Sequence, residues 1–567
     1  MVAGARTFGL EDTFLEPQIL NPPPTRHALL AFLLVLAAIV HIGTAGWGDL
    51  YDGVEGQLAG GAKEMLESKQ WLAPTNNGVP QFQTPSLAYW ALALSYKIFG
   101  VTATAARIPI ALAMVASVAL TFLIGERLAG YWRGFAAGLI HLCSGGAFLG
   151  RMVAHDSFFA LFIAGAIYCL VCGYQHRKFR WAWFAGFWFC ANLACLAKGL
   201  GAIFYLAGVC LLLAIFFREA RIRFRLLLHW SYLLLFVLFT APWFIWAQNQ
   251  FPGFLSQWLS WTNDSGLPRW HFLLLHFAWW FPAIFLILPG LLFAARKIIR
   301  PHEFTFTDAL PLFWLGIAIL PLFLIGDRHV CSTLSAGPAF ALFAACAWER
   351  TSRPFRIAGI VLVLLAGSAI AAIAWFTPAV LNSMMASGVP AAAWPSLQSM
   401  AQMAIFALFF LSLPALFFVI KQREEIALFL VLSSMVPIGF CLAESVARVA
   451  PLFSMADAAQ FLNPRLGHQG QVLYEGPFRN ANSLCFYLNK KIFLVNQTPG
   501  PFEEDAASQH QYLDEHFVLE AWEGAHPIYL IIEQDRVAHW RRLIVDRVHI
   551  YRQVTTCGTR VVLSNQL

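Results

Sequence analysis

Charge is the scarcest property of this chain. Only 12% of its 567 residues are Asp, Glu, Lys or Arg, about half the share found in soluble domains. That excludes a soluble enzyme and a charge-rich disordered scaffold. Cysteine is thin as well: 11 are present, most of them inside apolar stretches where a thiol is a small hydrophobe, so no disulfide framework holds a small secreted fold. Cys169 and Cys172 form a C-x-x-C without a second pair or a histidine partner, and carry neither zinc nor redox chemistry. No internal repeat is visible, and no low-complexity segment beyond Pro22-Pro23-Pro24. The 38 Lys and Arg exceed the 31 Asp and Glu by only +7, which is no footprint for nucleic acid.

What is abundant is apolar surface. Hydrophobic residues make up 59%, with 51 Phe and 21 Trp, so most of the chain requires a bilayer around it. A membrane helix needs about 20 apolar residues, and by that measure about thirteen spans are expected. They lie near 29–45, 103–125, 134–150, 157–173, 181–196, 200–217, 227–246, 271–294, 308–325, 330–347, 355–377, 402–420 and 426–446. The first is too long in its polar lead-in to be a removed signal peptide. Every second connection is short and basic: Arg127 and Arg133, then Arg177 to Arg180, Arg218 to Arg225, Arg296 to Arg300, Arg350 to Arg356, and Lys421 with Arg423. Retention of Lys and Arg in the cytoplasm predicts an inner-membrane protein with its N-terminal tail (1–28) inside and its polar C-terminal part outside.

The organisation that follows is a membrane domain over 29–449, with a large outer loop at 46–102, and an extracytoplasmic domain over 450–567. In the loop, Leu58, Ala62, Met65 and Leu66 share one helical face, the spacing of an amphipathic surface helix, and Pro85–Gly100 predicts a second helix. In the C-terminal part, short runs rich in β-branched and aromatic residues predict strands at Gln471–Tyr474, Lys491–Asn496, Pro527–Ile532, Val548–Val554 and Arg560–Leu563. Helical patterning between them, at Asn480–Leu488 and Gln534–Val545, makes this a small α/β domain. An outer compartment permits oxidation of Cys485 and Cys557, and a bond between them depends on a Cβ separation that sequence leaves open.

Ionisable groups at membrane depth are functional candidates by default. The outer-face set is Asp49, Asp52, Glu55, Arg107, Arg151, His155, Asp156, Lys198, Asp327, Arg328 and His329. Carboxylates suit proton abstraction, and cations suit an anionic leaving group. Asp52 and Glu55 also have the spacing of a capping box, Asp156 that of a helix N-cap, and Lys198 that of a snorkelling lysine. Each of these structural readings stands beside the catalytic one.

The loop carries Glu55-Gly-Gln-Leu-Ala, Lys63-Glu-Met-Leu-Glu-Ser, Gln70-Trp-Leu-Ala-Pro, Asn77-Gly-Val-Pro, Phe82-Gln-Thr-Pro, Leu87-Ala-Tyr-Trp, Lys97-Ile-Phe-Gly-Val and Ala106-Arg-Ile-Pro. With Gly150-Arg-Met-Val-Ala-His-Asp156, Ala197-Lys-Gly, Thr240-Ala-Pro-Trp243 and Gly326-Asp-Arg328, it resembles the bacterial aminoarabinose transferase (ArnT) and protein O-mannosyltransferase-like group over roughly 29–350. The resemblance implies a GT-C membrane fold and a glycosyltransferase. Its donor would be a polyprenyl-phosphate-linked sugar and its acceptor an envelope lipid such as lipid A, a glycan or a protein. It implies Asp52, Glu55 and Asp156 as catalytic acids, with Lys198, Arg151, Arg328 and Arg107 at the donor phosphate. The family's loop arginine is Gln57 here, its Glu-Lys before proline is Gln83-Thr84, and its later Glu-His is Thr262-Asn263. No metal site and no cofactor are therefore expected. Beyond donor, acceptor and membrane lipids no partner is implied. A transporter would differ by showing repeat symmetry and midplane charges, and an inactive lipid- or glycan-binding relative by failing an assay.

Overall fold

Helices built from the apolar runs surround a main core of leucine, alanine and phenylalanine side chains, with smaller apolar clusters beside it. The structure, a computed structural model, describes residues 24–82, 84–256, 268–324, 331–376, 394–499, 511–547 and 551–566. Eight helices make up the N-terminal part: α1 (Pro24–His41), α2 (Val54–Ser68), α3 (Leu87–Phe99), α4 (Ala103–Ala129), α5 (Tyr131–Cys143), α6 (His155–Gln175), α7 (Arg180–Lys198) and α8 (Gly201–Phe216). Among the described residues six helices are long and apolar enough to cross a bilayer. They are α4, α6, Trp230–Gln250, Phe306–Phe323, Pro395–Ile420 and Glu424–Phe453, and the pair Arg269–Trp279 with Ala283–Ile299, bent by 103°, makes up to seven. This is a multi-pass membrane protein, and among the described residues two of the expected windows hold helices shorter than a full span. The window at 134–150 contains the break where α5 stops at Cys143 and a 3-10 turn (Gly145–Arg151) takes over, and α8 has only 16 residues.

The charged residues gather at helix ends. At one end of the bundle, cations from the basic connections find acids at neighbouring helix ends: Arg26 with Glu126, Arg133 with Glu349, Arg356 with Glu424, and Asp308 with both Lys297 (2.7 Å) and Arg350 (2.5 Å). The opposite end holds the starts of α2, α4 and α6 and the end of α7, which carry Glu55, Arg107, Asp156 and Lys198.

Helix α2 departs from the amphipathic surface helix that its spacing predicts. It buries Gly56, Ala59, Gly60 and Gly61 as well as Leu58, Ala62 and Met65, because small residues give it a second face for close packing. A side chain at Gly61 would meet the Tyr89 ring on α3 at 2.6 Å, and one at Gly56 would meet the Ser483 backbone at 2.5 Å. The helix is sandwiched between α3 and the C-terminal part, with no broad face left for lipid.

That C-terminal part is built on a six-stranded sheet of order β5-β4-β3-β6-β8-β7. The strands are β3 (Gln471–Glu475), β4 (Phe493–Val495), β5 (Tyr512–Leu513), β6 (Ile528–Glu533), β7 (Arg552–Cys557) and β8 (Arg560–Ser564), a two-residue pair β1 (Thr75–Asn76) and β2 (Val79–Pro80) lying in the outer loop. Strands β3 to β6 run parallel, whereas β8 is antiparallel to β6 and β7 to β8. Alternation along the strands splits the core in two: Val472, Tyr474 and Ile531 face one side, Leu473, Leu530 and Ile532 the other. Strand β5 and the helix Glu515–Trp522 were not predicted; the strand expected over Val548–Val554 is seen from Arg552, and its residues 548–550 lie outside the described residues. Cys485 and Cys557 are both free, the Cys557 thiol lying 3.4 Å from the Ser454 carbonyl.

Candidate active site

Arg107, at the start of α4 and only 3% exposed, organises the first outer turn. Its Nη1 donates to the carbonyls of Gly48 (2.8 Å) and Trp47 (3.1 Å), its Nη2 to that of Asp49 (2.9 Å), and Nε and Nη2 together grip Glu55 at 3.3 and 3.2 Å. Gly48 closes this turn at φ +72, where a Cβ would meet Ala447 Cα at 2.7 Å. Glu55, itself 2% exposed, also accepts from the Val153 amide through Oε1 (2.8 Å) and from the Tyr51 amide through Oε2 (3.0 Å). A bidentate arginine and two amides use the lone pairs of both its oxygens. Glu55 is thus the tie between α2, α4 and the segment that leads into α6.

Asp52 is not part of a capping box. The residue preceding α2 is Gly53, at φ 76 and ψ −127, and no side chain caps the helix. Asp52 instead faces the C-terminal part, accepting from the Ser483 amide (3.0 Å) and hydroxyl (2.5 Å) and from Arg560 Nη1 (2.9 Å). Burial raises its carboxyl above the usual 3.8, and Arg560 and Ser483 offset part of that rise.

Asp156 is not an N-cap either. That position is Ala154, and Asp156 lies within the first turn of α6, where the helix N-terminus favours an anion. Lys198, at the last residue of α7, donates to Asp156 Oδ1 at 2.7 Å, and His155 Nε2 lies 3.5 Å from Oδ2. The Lys198 side chain keeps 18% of its surface exposed, and its ammonium sits 5.8 Å above the Phe159 ring. Arg151 serves the scaffold: its guanidinium donates to the carbonyls of Trp47 (2.6 Å), Ala443 (2.9 Å) and Thr44 (3.3 Å). Burial and the neighbouring Arg107 bring its pKa down to about 10, so it stays charged at neutral pH.

Of the expected site residues, the structure brings Glu55, Arg107, Arg151, Asp156 and Lys198 to one end of the bundle and turns Asp52 toward the sheet. The short turn Leu334–Ala336 packs against α6, the helix that carries Asp156. Asp327, Arg328 and His329 fall outside the described residues, as do Gln83, Thr262 and Asn263. Sequence reasoning missed Ser483 and Arg560, which lie more than 400 residues from Asp52 and carry no local signal. Among the described residues no group of three or more His, Cys, Asp or Glu is placed to hold a metal ion.

Superposed on solved structures, the fold matches that of ArnT from Cupriavidus metallidurans bound to undecaprenyl phosphate, with a TM-score of 0.81 over 95% of this chain and 98% of that one, at 17% identity. The chain is ArnT-like in fold. That fold agrees with the resemblance read from the sequence. A family model described as dolichyl-phosphate-mannose-protein mannosyltransferase matches residues 83–246, the stretch from the first loop through α8 to Trp230–Gln250. Curated relatives include an uncharacterized protein of Aquifex aeolicus, 30% identical over 31% of this chain and 36% of its own length. Another is the undecaprenyl phosphate-alpha-4-amino-4-deoxy-L-arabinose arabinosyl transferase of Pseudomonas savastanoi pv. phaseolicola, 31% identical over 21% of this chain and 22% of its own length. These alignments span well under half of either relative, and all the ArnT-like features beyond them rest on the shared fold.

Proposed function

We propose that this ArnT-like chain is an integral-membrane glycosyltransferase of the bacterial inner membrane. It moves a sugar from a polyprenyl-phosphate-linked donor to an envelope acceptor (lipid A, another glycan, a lipid or a protein) on the outer face. Its topology in this reading is about thirteen passes, with the N-terminus cytoplasmic and the sheet domain outside. The observation that carries the reading is the Lys198–Asp156 pair at 2.7 Å, set at the ends of two apolar helices beside the rigid Glu55–Arg107 tie. The names of the Pseudomonas relative and of the Cupriavidus neighbour's ligand both point to undecaprenyl phosphate as the donor's lipid.

Lys198 exchanges its bond to Asp156 for one to the donor phosphate, so donor binding releases the carboxylate. Asp156 then takes the proton of the acceptor hydroxyl as that oxygen attacks the anomeric carbon. The bond from that carbon to the phosphate oxygen breaks, its electron pair stays on the phosphate, and Lys198, with Arg328, stabilises the charge that develops there. One in-line displacement inverts the anomeric centre, and the reaction as written requires no cofactor. Arg107 and Arg151, with their donors committed to backbone carbonyls, hold the site's shape.

The test is mass spectrometry of envelope lipids, glycans and glycoproteins from cells with and without the gene. One acceptor class losing the mass of a single sugar, restored by the wild-type chain and not by Asp156→Asn, is the expected result. Identical profiles in every class would refute the reading.

A further inference from the structure

Arg107 and Val153 hold Glu55 from the membrane side, and the C-terminal side of the chain holds Asp52 and Gly53, just before it. The Asp52 amide donates to the Phe453 carbonyl (2.7 Å) and the Gly53 amide to the Arg479 carbonyl (2.8 Å), while the Gly53 carbonyl accepts from Asn482 Nδ2 (3.1 Å). Gly56 lies so close to the Ser483 backbone that no side chain fits between them. At the centre of this grip is Asp52, whose second oxygen takes Arg560 Nη1 at 2.9 Å. Arg560 is fixed in turn by Glu533 at 2.9 Å, at the end of β6. Glu55 begins the next stretch of the same chain of contacts. It holds the Val153 amide, and Val153 lies three residues before Asp156.

We propose that Arg560 is a positioning residue for the transfer reaction: through Asp52 it fixes the turn from which Glu55 reaches Val153, and so sets where Asp156 stands relative to Lys198. This rests on the function proposed above for the Asp156–Lys198 pair. The mechanical argument is one of connectivity. A carboxylate that satisfies two amides and an arginine from different elements tolerates little displacement before its hydrogen bonds weaken. Here Asp52 and Glu55 are separated only by Gly53 and Val54, and Gly53 adopts a left-handed conformation that resists few alternatives by itself. Without the outside anchor, the turn has freedom that Arg107 alone does not remove. A dedicated anchor also accounts for a buried, charged cross-domain contact at a place where an apolar one would cost less desolvation.

The test uses the full-length chain in lipid nanodiscs and, in parallel, the deletion strain complemented with each variant. Hydrogen exchange is followed at the buried Val153 amide, which touches no C-terminal residue among its hydrogen-bond partners, and product is read as the sugar-bearing mass per amount of protein. Arg560→Gln is expected to speed Val153 exchange at least about tenfold and to lower product by a similar factor, with Arg560→Lys restoring part of both. Asp52→Asn is expected to do the same, and the double variant to be no worse than Arg560→Gln alone, as for residues in one path. Exchange at Leu473 and Leu530 in the sheet reports whether Arg560→Gln has unfolded the domain, in which case Asp52→Asn carries the test. Val153 exchange and product both within twofold of wild type in Asp52→Asn and Arg560→Gln would overturn the proposal. Faster Val153 exchange in Arg560→Gln with full product from Asp156→Asn would instead refute the reaction assigned to the site, leaving the mechanical link without a catalytic role.

Discussion

Arg107→Met isolates the tie that holds the outer turn. The substitution keeps most of the side-chain volume and removes all five donors. It leaves the Gly48, Trp47 and Asp49 carbonyls without the guanidinium, and leaves the Glu55 carboxylate, 2% exposed, with only the Val153 and Tyr51 amides as partners. Removing one partner of a buried ion pair costs about 3–5 kcal/mol, because an uncompensated charge stays behind. At about 1.4 kcal/mol per tenfold change this corresponds to an opening equilibrium roughly 10²- to 4 × 10³-fold more favourable. Hydrogen exchange of peptides covering 45–58 reads that opening directly, in the slow-exchange range where rates follow the opening equilibrium. Glu55→Gln should cost less, about 1–3 kcal/mol, since the charge is removed and some hydrogen bonds remain. Exchange at 45–58 in Arg107→Met within a factor of three of wild type would show that the turn is held by something other than this pair, and the reasoning would fall.

Asp156→Asn and Lys198→Ala should each lower transfer by about 10²–10³; steady-state kinetics should show Lys198→Ala also weakening donor binding, and near-normal rates in both would make the pair a helix-end contact only. In the C-terminal part, burial pushes the Glu475 carboxyl up, but hydrogen bonds from Arg536, Trp540 and Asn496 outweigh it and hold it below the usual 4.5. A depressed carboxylate contributes stability that is present above its unfolded pKa and lost as pH falls through its folded one. Acid should therefore loosen this domain below about pH 4.5, reported by fluorescence of Trp540, whose Nε1 donates to Glu475 at 2.6 Å, and Glu475→Gln should remove that step. Impermeant labelling of intact cells should reach a tag after residue 567 and leave the loops holding Arg221, Arg296 and Arg353 untouched; labelling only after permeabilisation would reverse the topology. Non-reducing peptide mapping should find Cys485 and Cys557 both unbridged.

By itself the sequence determined what depends on local and periodic properties. Apolar runs and sparse charge dictate a membrane protein, because unpaired charge is expensive at membrane depth. The spacing of β-branched residues after 470 announces strands, and the loop motifs point to the family. The sequence also named Glu55, Arg107, Asp156 and Lys198, since ionisable groups at helix ends on one face stand out against an apolar background. Only the tertiary structure decided which partners these groups take. Asp52 and Glu55 look equivalent along the chain, two acids three residues apart, yet one is held by Arg560 and Ser483 and the other by Arg107 and Val153. Arg107 and Arg151 read as phosphate ligands until the carbonyls of residues 44–49 and 443 take up their donors. The second packing face of α2 was hidden because glycine and alanine add little to a hydrophobic pattern, and their use is to admit a neighbouring backbone that the sequence does not reveal. Hydrogen-bond partners are chosen among groups that folding brings together from hundreds of residues apart, and the sequence does not show that choice.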